Sequence, residues 1–136
     1  MVDLVITAAS VKKTATSQFT PGIAGAAITA GQALAQNAAG VMVLYDADSA
    51  TAELRVFKGI ALHAAAVDQP ISYATKGPLT IGAAVVASTP YFGSATPGGI
   101  CPAADVVTGM FATFLGFGVS ATQIDVQAVA AGVVKP

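Results

Sequence analysis

The chain has 136 residues, 54% of them hydrophobic and 10% charged, with a formal net charge of −1. That length suits one domain around one core, and a typical domain is about a quarter charged. The balance excludes a disordered chain and a nucleic-acid footprint, and the lone Cys101 excludes an intrachain disulfide framework.

Asp3 to Thr7 reads as a short strand, and the Thr-rich Val11 to Phe19 as an edge strand or extended arm within residues 1–20. Thr20-Pro21-Gly22 reads as a turn. Ala33 to Gln36 leads into the hairpin connection Asn37-Ala38-Ala39-Gly40, and Val41 to Tyr45 is a continuous apolar strand. Residues 46–52 read as a surface loop or one helical turn, and Glu53 to Phe57 alternates like a strand.

The organising stretch runs from Phe57 to Gly82: a strand to His63, a turn at Asp68-Gln69-Pro70, and a strand from Ile71 that Lys76-Gly77-Pro78 breaks. Thr89 to Phe92 is the next strand, Ser94 to Gly99 a turn, and Ile100-Cys101 a short strand closed by Pro102. Residues 103–109 read as a loop or short helix. Met110 to Val119 is a long apolar strand with a bulge signalled at Gly116 and Gly118, and Gln123 to Gln127 alternates cleanly. About ten short strands with frequent turn signals predict an all-β sandwich or barrel in a single domain, residues 1–136. Ala24 to Ala39 is Ala-rich, but Gly25, Gly31 and Gly40 interrupt any helix there.

Two motifs recur at one offset. Gly25-Ala26-Ala27 returns as Gly82-Ala83-Ala84, and Phe57-Lys58-Gly59 as Phe114-Leu115-Gly116, each 57 residues on. This reads as two copies of a β unit packed as a pair.

The titratable residues form no catalytic constellation. His63, the only histidine, is a strand residue facing solvent or an interface; a triad with Asp68 or Asp125 lacks any nucleophile elbow. Cys101 is a buried structural thiol. Asp46, Asp48 and Glu53 resemble a calcium loop but lack its central glycine and spacing. Gly116 to Ala121 matches a dinucleotide fingerprint in form, yet a strand-like segment follows it where a helix is needed. Lys12 and Lys13 either guard an edge strand or pair with acidic residues of a partner. No catalytic, cofactor-binding or metal-binding residue is assigned.

Met1-Val2-Asp3 lacks the basic start of a secretory signal. The longest weakly polar run, Val106 to Val119, falls short of the roughly 18 residues a spanning helix needs. Neither a membrane nor a nucleic acid is an expected partner. So few charges leave a monomer's surface poorly solvated, which predicts that part of it is covered by a protein neighbour, with the chain ends tied into a sheet or against that neighbour.

Several phrases carry a resemblance: the opening DLVITAAS, the segment ITAGQAL before an acidic loop, KGIALHAAAVDQPISYATKGPLTIGAA, the Thr89-Pro90-Tyr91 strand leading to ATPGGICPAAD, and the close FLGFGVSATQIDVQAVAAGVVKP. Together they resemble the small cement, or decoration, proteins of tailed-phage heads. The resemblance implies a jelly-roll-like β-sandwich that oligomerises on the outer surface of a capsid and bridges major capsid protein subunits. It implies no enzyme chemistry and no cofactor. The expected partners are the major capsid protein and the chain itself, as a homo-oligomer with a dimer favoured over a trimer. The expected location is the virion surface after synthesis in the host cytoplasm. The alternative is a β-sandwich module that recognises a host-surface glycan, for which Tyr45, Tyr73 and Tyr91 are the available tyrosines.

Overall fold

The computed structural model describes residues 4, 6–7, 10–14, 18–46, 54, 56–82, 85–94, 96–102 and 111–134. These form ten strands: β1 (Lys12–Lys13), β2 (Gln18–Ile23), β3 (Ala33–Gln36), β4 (Met42–Leu44), β5 (Gly59–Ala61), β6 (Pro70–Thr80), β7 (Pro90–Gly93), β8 (Ile100–Pro102), β9 (Phe111–Gly118) and β10 (Gln123–Val134). The protein is all-β, as its turn spacing predicts. Antiparallel pairing joins every strand into one curled sheet of order β4-β3-β5-β6-β10-β9-β7-β8. A sandwich or jelly roll is a finer grouping than this pairing makes.

β6 organises the sheet. One of its edges carries β1 opposite Leu79–Thr80 and β2 opposite Pro70–Lys76, a nearly continuous arm. Its other edge is divided: β5 pairs with Tyr73 and Ala74, and β10 with Lys76 to Thr80. The sheet thus opens into two wings, β5-β3-β4 and β10-β9-β7-β8. They meet again at the far side, where Gly98 accepts from the Ala33 N–H at 2.9 Å and donates to the Tyr45 carbonyl at 2.7 Å.

The two wings are copies. Ala33 pairs with Ile60 and Leu34 with Gly59; 57 residues on, Pro90 pairs with Phe117 and Tyr91 with Gly116. Gly31 donates to Ala61 and Ala61 to Gln32, while Ser88 donates to Gly118 and Gly118 to Thr89 at the same offset. The Asn37 Oδ1 accepts from the Ala39 N–H where, 57 residues later, the Ser94 Oγ accepts from the Thr96 N–H. Backbone conformation repeats too: Gly31 has φ +89° and Ser88 has φ +65°, a value rare for a residue with a side chain. The expected duplication is a duplication of hydrogen bonding far more than of side chains.

The copies present opposite faces to the core. In the first wing Ala33, Ala35 and Ile60 pack into the main cluster, and Leu34 and Ala61 into a smaller second cluster with Met42 and Ile71. In the second wing Tyr91, at the position of Leu34, points into the main cluster, and Phe117, at the position of Ile60, is exposed. Side chains alternate along a strand, so this exchange needs a change of parity in the strand the wings share. β6 supplies it. Ala74 faces the main cluster from the first half, and Leu79 and Ile81 from the second half and just beyond. Between them Phe19 sits opposite Ala74 and Gln18 opposite Lys76, so β6 carries one extra residue, and Gly77 has φ +96°.

Three readings are corrected. Lys76-Gly77-Pro78 does not break the strand: the extra residue is Thr75, just before it, Gly77 takes its positive φ within the regular ladder to β10, and Pro78 falls in the interval between β1 and β2, where its carbonyl accepts from the Thr14 hydroxyl at 2.9 Å. Thr20-Pro21-Gly22 is not a turn but the middle of β2. The Ala24 N–H donates to Gln69, so Thr20 and Gly22, in phase with it, turn their backbone groups toward β6, and Pro21 turns its missing N–H outward where no ladder bond is lost. Leu4 and Thr7 donate to Ile100 and Gly82, two different partners, so the opening segment is laid against the sheet without forming a ladder. Asp3 lies outside the described residues, as do Asp48, Glu53 and the loop or helix expected at 103–109; β5 is shorter than the strand expected from Phe57 to His63.

Gly77→Val is expected to lower unfolding stability by roughly 1–3 kcal/mol, the cost of a side chain held at positive φ. Urea unfolding measures it; a variant as stable as the parent would show that the left-handed conformation at Gly77 carries no strain.

Candidate functional site

His63 stands where β5 leaves β6. Its Nε2 accepts the Ser72 N–H at 3.0 Å, and its Nδ1 lies 2.9 Å from the Ala64 carbonyl. The pair of bonds assigns the proton to Nδ1. The ring replaces the backbone acceptor that a longer β5 would have offered, and both nitrogens are engaged. Asp125 sits on β10 in the other wing, opposite Phe117. His63 is thus exposed, as the sequence suggested, and its role is a clip between strands.

The remaining residues singled out by the sequence are equally apart. Cys101 is fully buried in β8. Asp46 is half-buried and its N–H donates to the Leu54 carbonyl. Gly116 to Ala121 runs from β9 through a turn into the strand β10. Among the described residues no three His, Cys, Asp or Glu side chains gather. Tyr45 and Tyr91 are buried, the first edge-on to Phe57 and the second accepting the Val86 N–H through its hydroxyl, so neither offers a ring to a sugar. Tyr73 is half-buried, and desolvation pushes its phenol above the ordinary 10.0.

A cavity of about 260 Å³ lies between Leu4, Ile6, the turn at 29–32 and the turn at 96–99. Among the described residues no ionisable side chain lines it, and the Gln32 Oε1 already accepts the Thr29 N–H. It has the polarity of a packing defect and none of the convergent polar groups of a ligand site.

The surface is more telling. Two groups of large apolar side chains stand exposed. Phe19 and Ile23 lie on β2, and Val86, Phe117 and Val119 gather around Gly118, whose N–H and carbonyl bond the 88–89 turn. Register extends the second group into a face. Pro78, Asp125, Phe117 and Pro90 stand in one cross-strand row. On one side lies the row Lys12, Thr80, Gln123, and on the other Lys76 with Gln127. Rows two residues apart along a strand share a face and are about 7 Å apart. Sequence reasoning missed this face for a physical reason: the repeat equates Phe117 with Ile60, a core residue, and only the parity change in β6 turns it outward.

Comparison with family models, with curated proteins and with solved structures gives no match for this chain.

Nitrogen NMR of the neutral His63 ring is expected to show a protonated Nδ1 and an unprotonated, hydrogen-bonded Nε2; the opposite tautomer would remove the clip. For Tyr73, the sign follows from the raised folded value. Stability from the neutral phenol is full below the ordinary 10.0 and is lost as pH rises toward the higher folded value. Tyr73→Phe is therefore expected to flatten the alkaline fall in unfolding free energy, measured from pH 9 upward against the parent.

Proposed function

We propose that the protein is a structural cement, or decoration, protein of a tailed-phage head, which binds the outer capsid surface and bridges major capsid protein subunits. The reading rests on the resemblance of its phrases to that family. The observation that supports it in the fold is the exposed apolar side chains Val86, Phe117 and Val119 on a chain with few charges. A sheet face of this kind gains affinity by burying flat apolar area against another protein, without a pocket. The chemistry of the site supports nothing catalytic: the one histidine is a strand clip, the one cysteine is buried, and the cavity is uncharged. We read the fold's finer grouping as jelly-roll-like and the working species as a homo-oligomer, with a dimer favoured over a trimer.

Fastening works through repetition. Each contact is modest, but an oligomer that touches several shell subunits at once turns the later contacts into intramolecular ones, and avidity exceeds any single affinity. A glycan-binding module is the weaker reading, because two of the three tyrosines are buried.

Size-exclusion chromatography with light scattering is expected to give a stable oligomer, and co-sedimentation to show saturable binding to expanded heads with the greatest gain in the heads' resistance to heat. A monomer that ignores expanded heads would end this reading.

A further inference from the structure

We propose that the outward face of the second wing, centred on Phe117, is the surface that docks on the shell, and that the shell surface it meets is apolar with carboxylates to either side. The inference rests on the cement reading and adds to it which face is used and the chemistry of the partner.

The internal repeat supplies the first argument. In the first wing, the face bearing Ala33, Ala35 and Ile60 is covered by the second wing and is wholly buried. The equivalent face of the second wing bears Pro90, Phe92 and Phe117. Pro90 is half-buried and Phe92 is half-buried against the main cluster, but Phe117, the counterpart of the core residue Ile60, is turned outward and 45% exposed. A position that serves protein packing in the first wing is left on the surface in the second.

Charge supplies the second argument. Lys12 and Lys76 are exposed and stand in the rows on either side of the Phe117 row, each about 7 Å from it. Asp125 stands within the central row, half-buried. A partner that fits presents apolar surface to Phe117 and acidic side chains to the two lysines. A second copy of the chain fits worse when its two-fold axis runs along the cross-strand row, because Asp125 then meets Asp125 and the Lys12 row lies over the Lys76 row, like charge against like.

The other apolar candidate, β2, is weaker for a strand partner. Its outer edge presents Pro21 without an N–H, a feature that guards edges against strand addition.

The test uses the full chain and expanded heads purified without it. Phe117→Ser and Val119→Ser, both at exposed positions, are made separately, so that one failing to fold leaves the other to report. Phe19→Ser on β2 is the control. Each serine variant of the docking face is expected to bind heads at least tenfold more weakly, with an unchanged melting temperature, and the control to bind like the parent. Lys12→Glu with Lys76→Glu is expected to weaken binding and to remove most of its salt dependence. Undiminished binding by Phe117→Ser and Val119→Ser overturns the assignment, as does loss of binding in Phe19→Ser alone. If Phe117→Ser instead breaks the oligomer while each protomer still binds heads, the face joins copies of the chain, and the shell is the wrong occupant. A parent protein that does not bind heads sinks the cement reading itself, a result distinct from any of these.

Discussion

A strand that belongs to two sheets must satisfy both, and that constraint on β6 shapes the molecule. Its first half is paired to β5 and its second to β10, and each half must place apolar side chains in the same core. Strict alternation would keep one parity throughout and send Leu79 and Ile81 outward. The extra residue near Thr75 and the positive φ of Gly77 change the parity within two residues. Everything downstream follows: the curl of the sheet, the meeting of Gly98 with Ala33 and Tyr45, and the use of opposite faces by the two copies.

The copies also show what a repeat conserves physically when its side chains drift. Few residues recur, yet the turn bonds at Gly31 and Ser88, and those at Asn37 and Ser94, are the same. Ser88 holds the left-handed conformation that Gly31 takes freely because the backbone bonds around it require that conformation. Backbone geometry is the inherited quantity, and small residues such as Ala33, Ala35, Ala61 and Ala74 let both faces pack tightly around it.

Much of this was legible in the sequence. Alternation and turn chemistry located most strands, and the shared offset of the FKG and FLG phrases located the duplication. The misreadings share one cause. Proline and glycine were taken as stops at Thr20-Pro21-Gly22 and Lys76-Gly77-Pro78, but each proline turns its missing donor to a position without a backbone partner, which depends on phase within the ladder. Phase is set by pairing partners far away in the chain, and local composition does not carry it. The same dependence hid the Phe117 face, since a residue's side of the sheet is a property of the register.

Opposed faces have an energetic consequence. Two copies packed face to like face would bury one apolar side each and leave two polar sides in water. Here the first wing closes its outer face with its own loops, through Ala24, Ile28 and Ala65, and gives its inner face to the second wing. The second wing gives Tyr91 and Leu115 to that contact and keeps Phe117, the counterpart of Ile60, 45% exposed. Exposed apolar area of that kind is costly in isolation, at about 25 cal/mol for each Å². A chain with so few charges cannot offset the cost by solvating the remainder of its surface. On the cement reading proposed above, another protein would remove that side chain from water, and the opposed use of faces by the two copies is the part of the fold that this proposal draws on.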